Sequence, residues 1–326
     1  MQNQMRGYIA KRVLQLIPIL LGITLLSFSL MYVAGGDAVT AVLENQGVAV
    51  SQEIIDAKRH ELGLDKSFIE QYGSWLLGLV TGNMGTSYVS GKEVFPTFVS
   101  KLPATIVLTL VAVILTILIS VPLGILSAVK QNRFTDYLIR VMGFIGNSLP
   151  NFFVALLLIL VFSVGLGWFP VVSSSIGKSG LASLSIQGTV LPALTLAIAM
   201  SSKYTRQIRA TVLDELNKPY VVGARARGVP ERTILFKHVL KSCMMMIVTL
   251  LALSVGDLLG GTAIVETIFQ WDGVGKLAVD AITMRDFPLI QAYVVWMALI
   301  YVVVNLVADL LYWRLDPRLR RGGGKE

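Results

Sequence analysis

Charge is scarce in this chain. Only 15% of its 326 residues are Asp, Glu, Lys or Arg, against about 25% in an ordinary soluble domain. Hydrophobic residues make up 54% and mean hydropathy is +0.70. This composition excludes an ordinary soluble domain and points to a polytopic membrane protein. Cysteine is nearly absent: the single Cys243 excludes an intramolecular disulfide framework. Two histidines, His60 and His238, leave little for a His-based metal site, and no metal ligands are assigned. A G-x-x-x-x-G-K-[S/T] phosphate loop is also missing. The nearest string, GVGKL at 273–277, has the wrong glycine spacing and Leu277 where Ser or Thr is needed. No H-E-x-x-H motif occurs and both histidines lie outside the apolar runs, which excludes a membrane protease.

Apolar runs are abundant. A helix needs about 20 apolar residues to cross a bilayer. Six runs meet or approach this, at 13–34, 104–129, about 137–165, 189–204, 243–265 and 289–313. The fourth, TVLPALTLAIAMSSKY, is short and rich in small residues. The first follows Arg6, Lys11 and Arg12 and is too long for a cleaved signal core, so it reads as an uncleaved signal anchor. With the N-terminus inside, the inside segments hold 20 of the 28 Lys and Arg residues. Both termini are therefore expected in the cytoplasm. The net charge of +8 reflects these basic loops held on the cytoplasmic side, and no nucleic-acid partner is expected.

Most outside charge falls in the loop 35–103. SQEIIDAKRHELG (51–63) opens with an N-cap candidate at Ser51. Phe68, Tyr72, Trp75, Leu76 and Leu79 follow at helical spacing. The loop reads either as an outer cap that meets a delivery protein or as a helix packed on the membrane face.

The segment ARARGVPERTILFKHVLKS (224–242) is a basic elbow between two apolar runs. Helix-forming residues from Val212 to Arg227 end at Gly228, which accepts positive φ without a Cβ clash. Pro230 opens a second helix of about 230–241. Glu231 sits in its first turn, where a carboxylate suits the helix dipole, and Ile234, Leu235, Val239 and Leu240 form its apolar stripe. Passive connections in bundles run about 2–8 residues. This loop spans 205–241, so it reads as a docking surface or as an amphipathic helix on anionic headgroups.

The elbow resembles the EAA loop of ABC-importer permease subunits, whose pattern runs EAA, three residues, Gly, nine residues, Ile-x-Leu-Pro. Gly228 stands at the glycine, Ala224 at the second alanine and Leu240 at the leucine. Val222, Gly223, His238 and Lys241 depart from it. The form A-R-A-x-G with F-x-H-x-L downstream is similar to the dipeptide/oligopeptide/nickel branch, which shows the same departures. Further resemblances lie in LGLDKSFIEQYGSWL (62–76), LPATIVLTL (102–110), SVPLGILSA (120–128), SLPNFF (148–153), ETIFQWDGVGKLAVDAITMRDFPLIQ (266–291) and DPRLRRG (316–322). The resemblance implies an all-α fold of six transmembrane helices, the type I importer permease. It implies a signal-anchor helix at 1–34, an extracytoplasmic loop at 35–103, the permease domain at 104–313 and a basic tail at 314–326. Ala224, Arg225, Ala226, Arg227, Gly228, Val229, Pro230, His238 and Leu240 would form the coupling loop. It would sit in a groove of an ATP-binding subunit. The implied partners are two ATP-binding subunits, a second homologous permease and an external solute-binding protein. ATP would be used by the partners, with no cofactor bound here and no catalytic residue.

Polar residues inside the runs are pathway candidates. A charge at mid-span costs about 2.5–3.5 kcal/mol on insertion scales, so Asp257 should face water or protein. It lines a pathway or bonds a neighbouring helix. Glu266 is nine residues on, so the two are expected on opposite faces of one helix and do not form one site. Asn305 and Asp309 share a face. Asn147 and Asn151 flank Pro150, a kink candidate that lines the pathway or serves packing. Gly256, Gly260 and Gly261 have the spacing of a helix-packing face. Met244, Met245 and Met246 fan around the helix and read as core or lipid contacts. The segment 256–275 looks slightly closer to nickel importers, which makes nickel the expected solute and a dipeptide or oligopeptide the alternative. An ion-coupled secondary transporter is the rival class. It would need repeat symmetry around a midplane site and leaves the elbow without a role.

Overall fold

The structure, a computed structural model, describes residues 2–34, 52–61, 63–173 and 185–315. The side chains of Asp257, Gly260, Gly261 and Asp309 lie outside the described residues, as does Ser51. The described residues are mostly helical, with one isolated bridge between Thr86 and Glu93. They divide into two compact units, one from Met1–Thr105 and Gln270–Val302, the other from Ile106–Ser173, Ser185–Phe269 and the chain from Val303 onward.

In the first unit α1 (Gln2–Ala34) carries the apolar stretch Ile17–Val33. The outer loop holds α2 (Gln52–Glu61) and α3 (Phe68–Thr81). Ser67 and Glu70 cap α3 reciprocally, so two otherwise unpaired N–H groups are satisfied. Phe68 and Tyr72 pack edge-on against Phe28 of α1, both at 5.5 Å. The aromatic stripe expected on this helix thus faces α1. The helix α4 (Val94–Val129) begins here, and α12 (Val274–Thr283) and the first part of α13 (Phe287–Leu315), up to Val302, complete the unit. Val94, Ala281, Leu289 and Ala292 form its core, and Phe98 stacks on Trp296.

The second unit takes the rest of α4 together with α5 (Phe134–Ser148), α6 (Asn151–Leu158, extended by a π-helical turn Ile159–Gly165) and α7 (Ile186–Leu216). It also holds α8 (Pro219–Ala226), α9 (Glu231–Thr233), α10 (Leu240–Gly261) and α11 (Ala263–Ile268). By length and apolarity α4 and the stretch Phe287–Val307 can each cross a membrane unbroken.

The third apolar run bends by 104° between α5 and α6. Pro150 has no N–H to donate and drives Leu149 to ψ 130°, out of helical space. The chain restarts where Phe153 and Val154 donate to the Pro150 carbonyl. The fourth run belongs to a helix longer than its 16 residues suggested: α7 starts at Ile186 and continues through Arg206 and Arg209 to Leu216. Two further expectations are corrected. The chain from Val212 to Arg227 is two helices, because Lys218 adopts ψ 149° before Pro219, which takes the first position of α8. Asp257 and Glu266 do not share a helix, since α10 ends at Gly261.

Candidate functional site

The elbow is built by α8, the turn at Arg227–Pro230 and the helical stretch from Glu231. Gly228 lies at φ +75°, the left-handed value expected of it, and donates to the Arg225 carbonyl. Val229 donates to the Ala224 carbonyl at 3.1 Å, which closes the turn. Pro230 stands at the N-cap rather than inside the helix, with φ −59° and ψ 139°. The second helix does not stop at 241. It passes from α9 through a π-helical turn at Ile234–Val239 into α10, so the elbow and that helix are consecutive along the chain.

Two contacts hold the bend. Arg225 donates twice to Glu231 across the Gly-Pro turn, at 2.6 and 3.3 Å. That hydrogen bonding holds the Glu231 carboxyl below its ordinary range and raises Arg225. At the other end Glu215 receives Lys218 at 2.5 Å and the Tyr220 hydroxyl at 2.8 Å. Burial acts to raise Glu215, and these bonds outweigh it. Beneath the elbow, Val221, Ala224, Ile234 and Val239 are buried with Ile208, Val212 and Cys243 in one cluster, with Leu240 packed against it.

What remains outside is an exposed surface of mixed character. Val222 and Phe236 are exposed large hydrophobics. Arg225, Ala226, Arg227, Gly228, Pro230 and Arg232 are exposed beside them, as is His238, while Val229 is half-buried. Burying such a patch against a partner releases apolar surface from water, and the arginines around it supply directional hydrogen bonds. Cys243 is buried and His238 exposed, so the pair does not converge on one site.

The pathway candidates are scattered. Asn147 is exposed and Asn151 half-buried, on either side of the 104° bend. Asn305 is half-buried on α13. Gly256 is buried on α10. The close helix approaches lie elsewhere, at glycines the sequence reading did not single out. A Cβ on Gly124 would stand 2.7 Å from Ile208 Cγ2, and one on Gly146 would collide with Ser202 Oγ. Both press α7. Also unforeseen is Asp136, fully buried and gripped by Arg209 through two bonds of 2.8 Å, by Ser127 and by the Asn132 N–H. No spacing signal links residues 73 apart in sequence.

GVGKL serves the chain itself. The Val274 N–H donates to Thr105 Oγ1 at 2.9 Å, and Lys276 pairs with Asp280 at 2.7 Å. Neighbouring Asp272 holds Lys101, and Trp271 donates to the Ala104 carbonyl at 3.1 Å.

Comparison with known proteins matches residues 120–321 to the family described as binding-protein-dependent transport system inner membrane component. Residues 5–109 match its N-terminal companion family. The chain is 41% identical over 324 residues to the oligopeptide transport system permease protein AppB of Bacillus subtilis, covering 97% of this chain and 99% of the relative. It is 36% identical over 316 residues, with the same shares covered, to the glutathione transport system permease protein GsiC of Escherichia coli K12. A solved structure of the MetNI methionine ABC transporter, in an inward-facing form, covers 67% of this chain and 96% of its own at a TM-score of 0.52. At 16% identity that likeness speaks for the fold alone. These relatives favour the peptide alternative over the nickel expectation. The chain belongs to the family of binding-protein-dependent transport system inner membrane components: it is a membrane permease subunit of an ABC importer, without an ATPase site of its own.

Proposed function

We propose that this chain forms half of the translocation pathway of an ATP-driven importer for small peptides of the oligopeptide or glutathione kind. The elbow would be its contact with an ATP-binding subunit in the cytoplasm. The reading is supported by full-length likeness to an oligopeptide permease and a glutathione permease. The observation that carries the mechanism is the exposed elbow, whose second helix leads through a π-helical turn into α10. Motion imposed at Gly228 would travel along α9 and α10 toward Asp257 in mid-membrane. A second permease, homologous to this one, would supply the other half of the pathway. An external binding protein would deliver the solute and supply most of its selectivity. A nickel chelate is the lesser alternative. An ion-coupled carrier would leave the elbow idle.

The test is to reconstitute the permease pair with its ATPases and binding protein in proteoliposomes and follow uptake of labelled peptide. Uptake should require ATP and both ATPases. Uptake that persists without the ATPases but stops when the ion gradient is collapsed would overturn the assignment. Mass spectrometry and metal analysis of the purified binding protein should find a peptide, and stoichiometric nickel would reverse the solute assignment.

A further inference from the structure

Beside the Asp136–Arg209 pair, α5 and α7 part to leave a groove of about 400 Å³. Its floor lies at Gly143, where a Cβ would stand 3.7 Å from the Ser202 carbonyl oxygen. Phe144 and Tyr137 wall it on the α5 side, and both are exposed, at 72% and 51%. Arg140 and Arg206 stand at its rim, both exposed. Arg140 lies 5.6 Å over the Tyr137 ring. Arg209 closes the back of the groove with its charge already met by Asp136.

The combination is informative. An apolar groove in a chain that sits in a membrane would ordinarily hold hydrocarbon, and needs no charge. Two guanidiniums at its mouth, each without a carboxylate partner among the described residues, leave a local surplus of about two positive charges. Asp136, which faces Arg209 at the back of the groove, is held by Arg209, Ser127 and the Asn132 amide. Both arginines also belong to the basic segments that mark one membrane face in the charge count. Basic pockets between membrane helices at that level suit acidic headgroups, with the guanidinium fork matched to phosphate oxygens.

We propose that this groove is a binding site for one acidic phospholipid, its phosphate held by Arg140 and Arg206 and an acyl chain lying over Gly143 between Tyr137 and Phe144. The lipid would brace α5 against α7 next to the buried ion pair. The site does not depend on which solute is carried.

The experiment uses the assembled transporter in nanodiscs of phosphatidylcholine with and without phosphatidylglycerol, with native mass spectrometry after delipidation to count retained lipid. Wild type should keep one phosphatidylglycerol in preference to phosphatidylcholine. Arg140→Gln and Arg206→Gln should each weaken retention about five-fold, which is about 1 kcal/mol per charge. Both residues are exposed, so folding should be unaffected. Gly143→Leu, which fills the groove, should remove the retained lipid while leaving both arginines in place. Equal retention in the Arg140→Gln/Arg206→Gln double variant overturns the proposal. So does displacement of the lipid by inorganic phosphate, which would make the arginines a soluble-anion site. Loss of the second permease on Gly143→Leu, with lipid retention unchanged, would make the groove a subunit contact instead.

Discussion

Replacing Gly228 tests the bend itself. Its φ is +75°, and nothing lies within 4 Å of where a Cβ would stand. Any penalty is therefore backbone strain and not collision. The left-handed conformation costs an L-residue about 1–2 kcal/mol. Reduced freedom of the unfolded chain returns about 0.4–1 kcal/mol of this. Gly228→Ala should cost about 0.5–1.5 kcal/mol, β-branched Val more, and Asn less. Because the turn is exposed, the chain can relieve that strain by leaving the bent geometry. Each 1.4 kcal/mol is a factor of about ten in population. The docked geometry should fall a few-fold for Ala and about ten-fold or more for Val. The assay is peptide transported per ATP hydrolysed in proteoliposomes, measured beside the thermal midpoint of the complex. Coupling should fall in the order Gly, Asn, Ala, Val with the midpoint nearly constant. Wild-type coupling in Gly228→Val would refute the reasoning, as would losses that merely track the midpoint.

Asp136→Asn should destabilise the permease by about 3 kcal/mol, the lower end for breaking a buried pair, because Arg209 keeps some solvent contact; thermal unfolding in detergent measures this. Gly124→Ala should cost about 1–3 kcal/mol, since the new methyl meets Ile208 and the Thr205 carbonyl, and Ile208→Ala should restore part of the loss in the same scan. Glu231 is depressed in the folded state, so its clamp on Arg225 is intact above the ordinary Glu range and weakens only as pH falls through the folded value. Coupling should accordingly be flat across neutral pH, and a change near pH 7 would count against the clamp. Asp257→Ala should lower uptake while the complex still assembles, and size-exclusion chromatography showing dissociation would make it a structural carboxylate instead.

The sequence carried the elbow well because its signals are local. A glycine that needs positive φ and a proline two residues later leave few conformations for the intervening chain. Pro150 likewise announced a break, although its 104° bend follows from packing that no single run of residues encodes. Helix ends were less legible. Pro219 starts a new helix inside a stretch that reads as one, and α9 runs into α10 because the apolar stripe continues through Val239 into Ile247. The contacts that fix the second unit were illegible for a different reason. Asp136 and Arg209 meet only when α5 and α7 are packed, and Gly124 matters only because Ile208 lies across from it. Asp257 drew attention through the cost of a charge in hydrocarbon, which says that a partner is needed without saying which.

The account stands on the elbow facing the compartment that holds the ATPases. Ala226 is exposed there, and the native Cys243 is only 1% exposed, so the background is low. An Ala226→Cys variant treated with a membrane-impermeant maleimide should react in inverted vesicles stripped of the ATP-binding subunits. It should be shielded when those subunits are bound, and stay unlabelled in sealed intact cells. Labelling from outside intact cells would contradict the account.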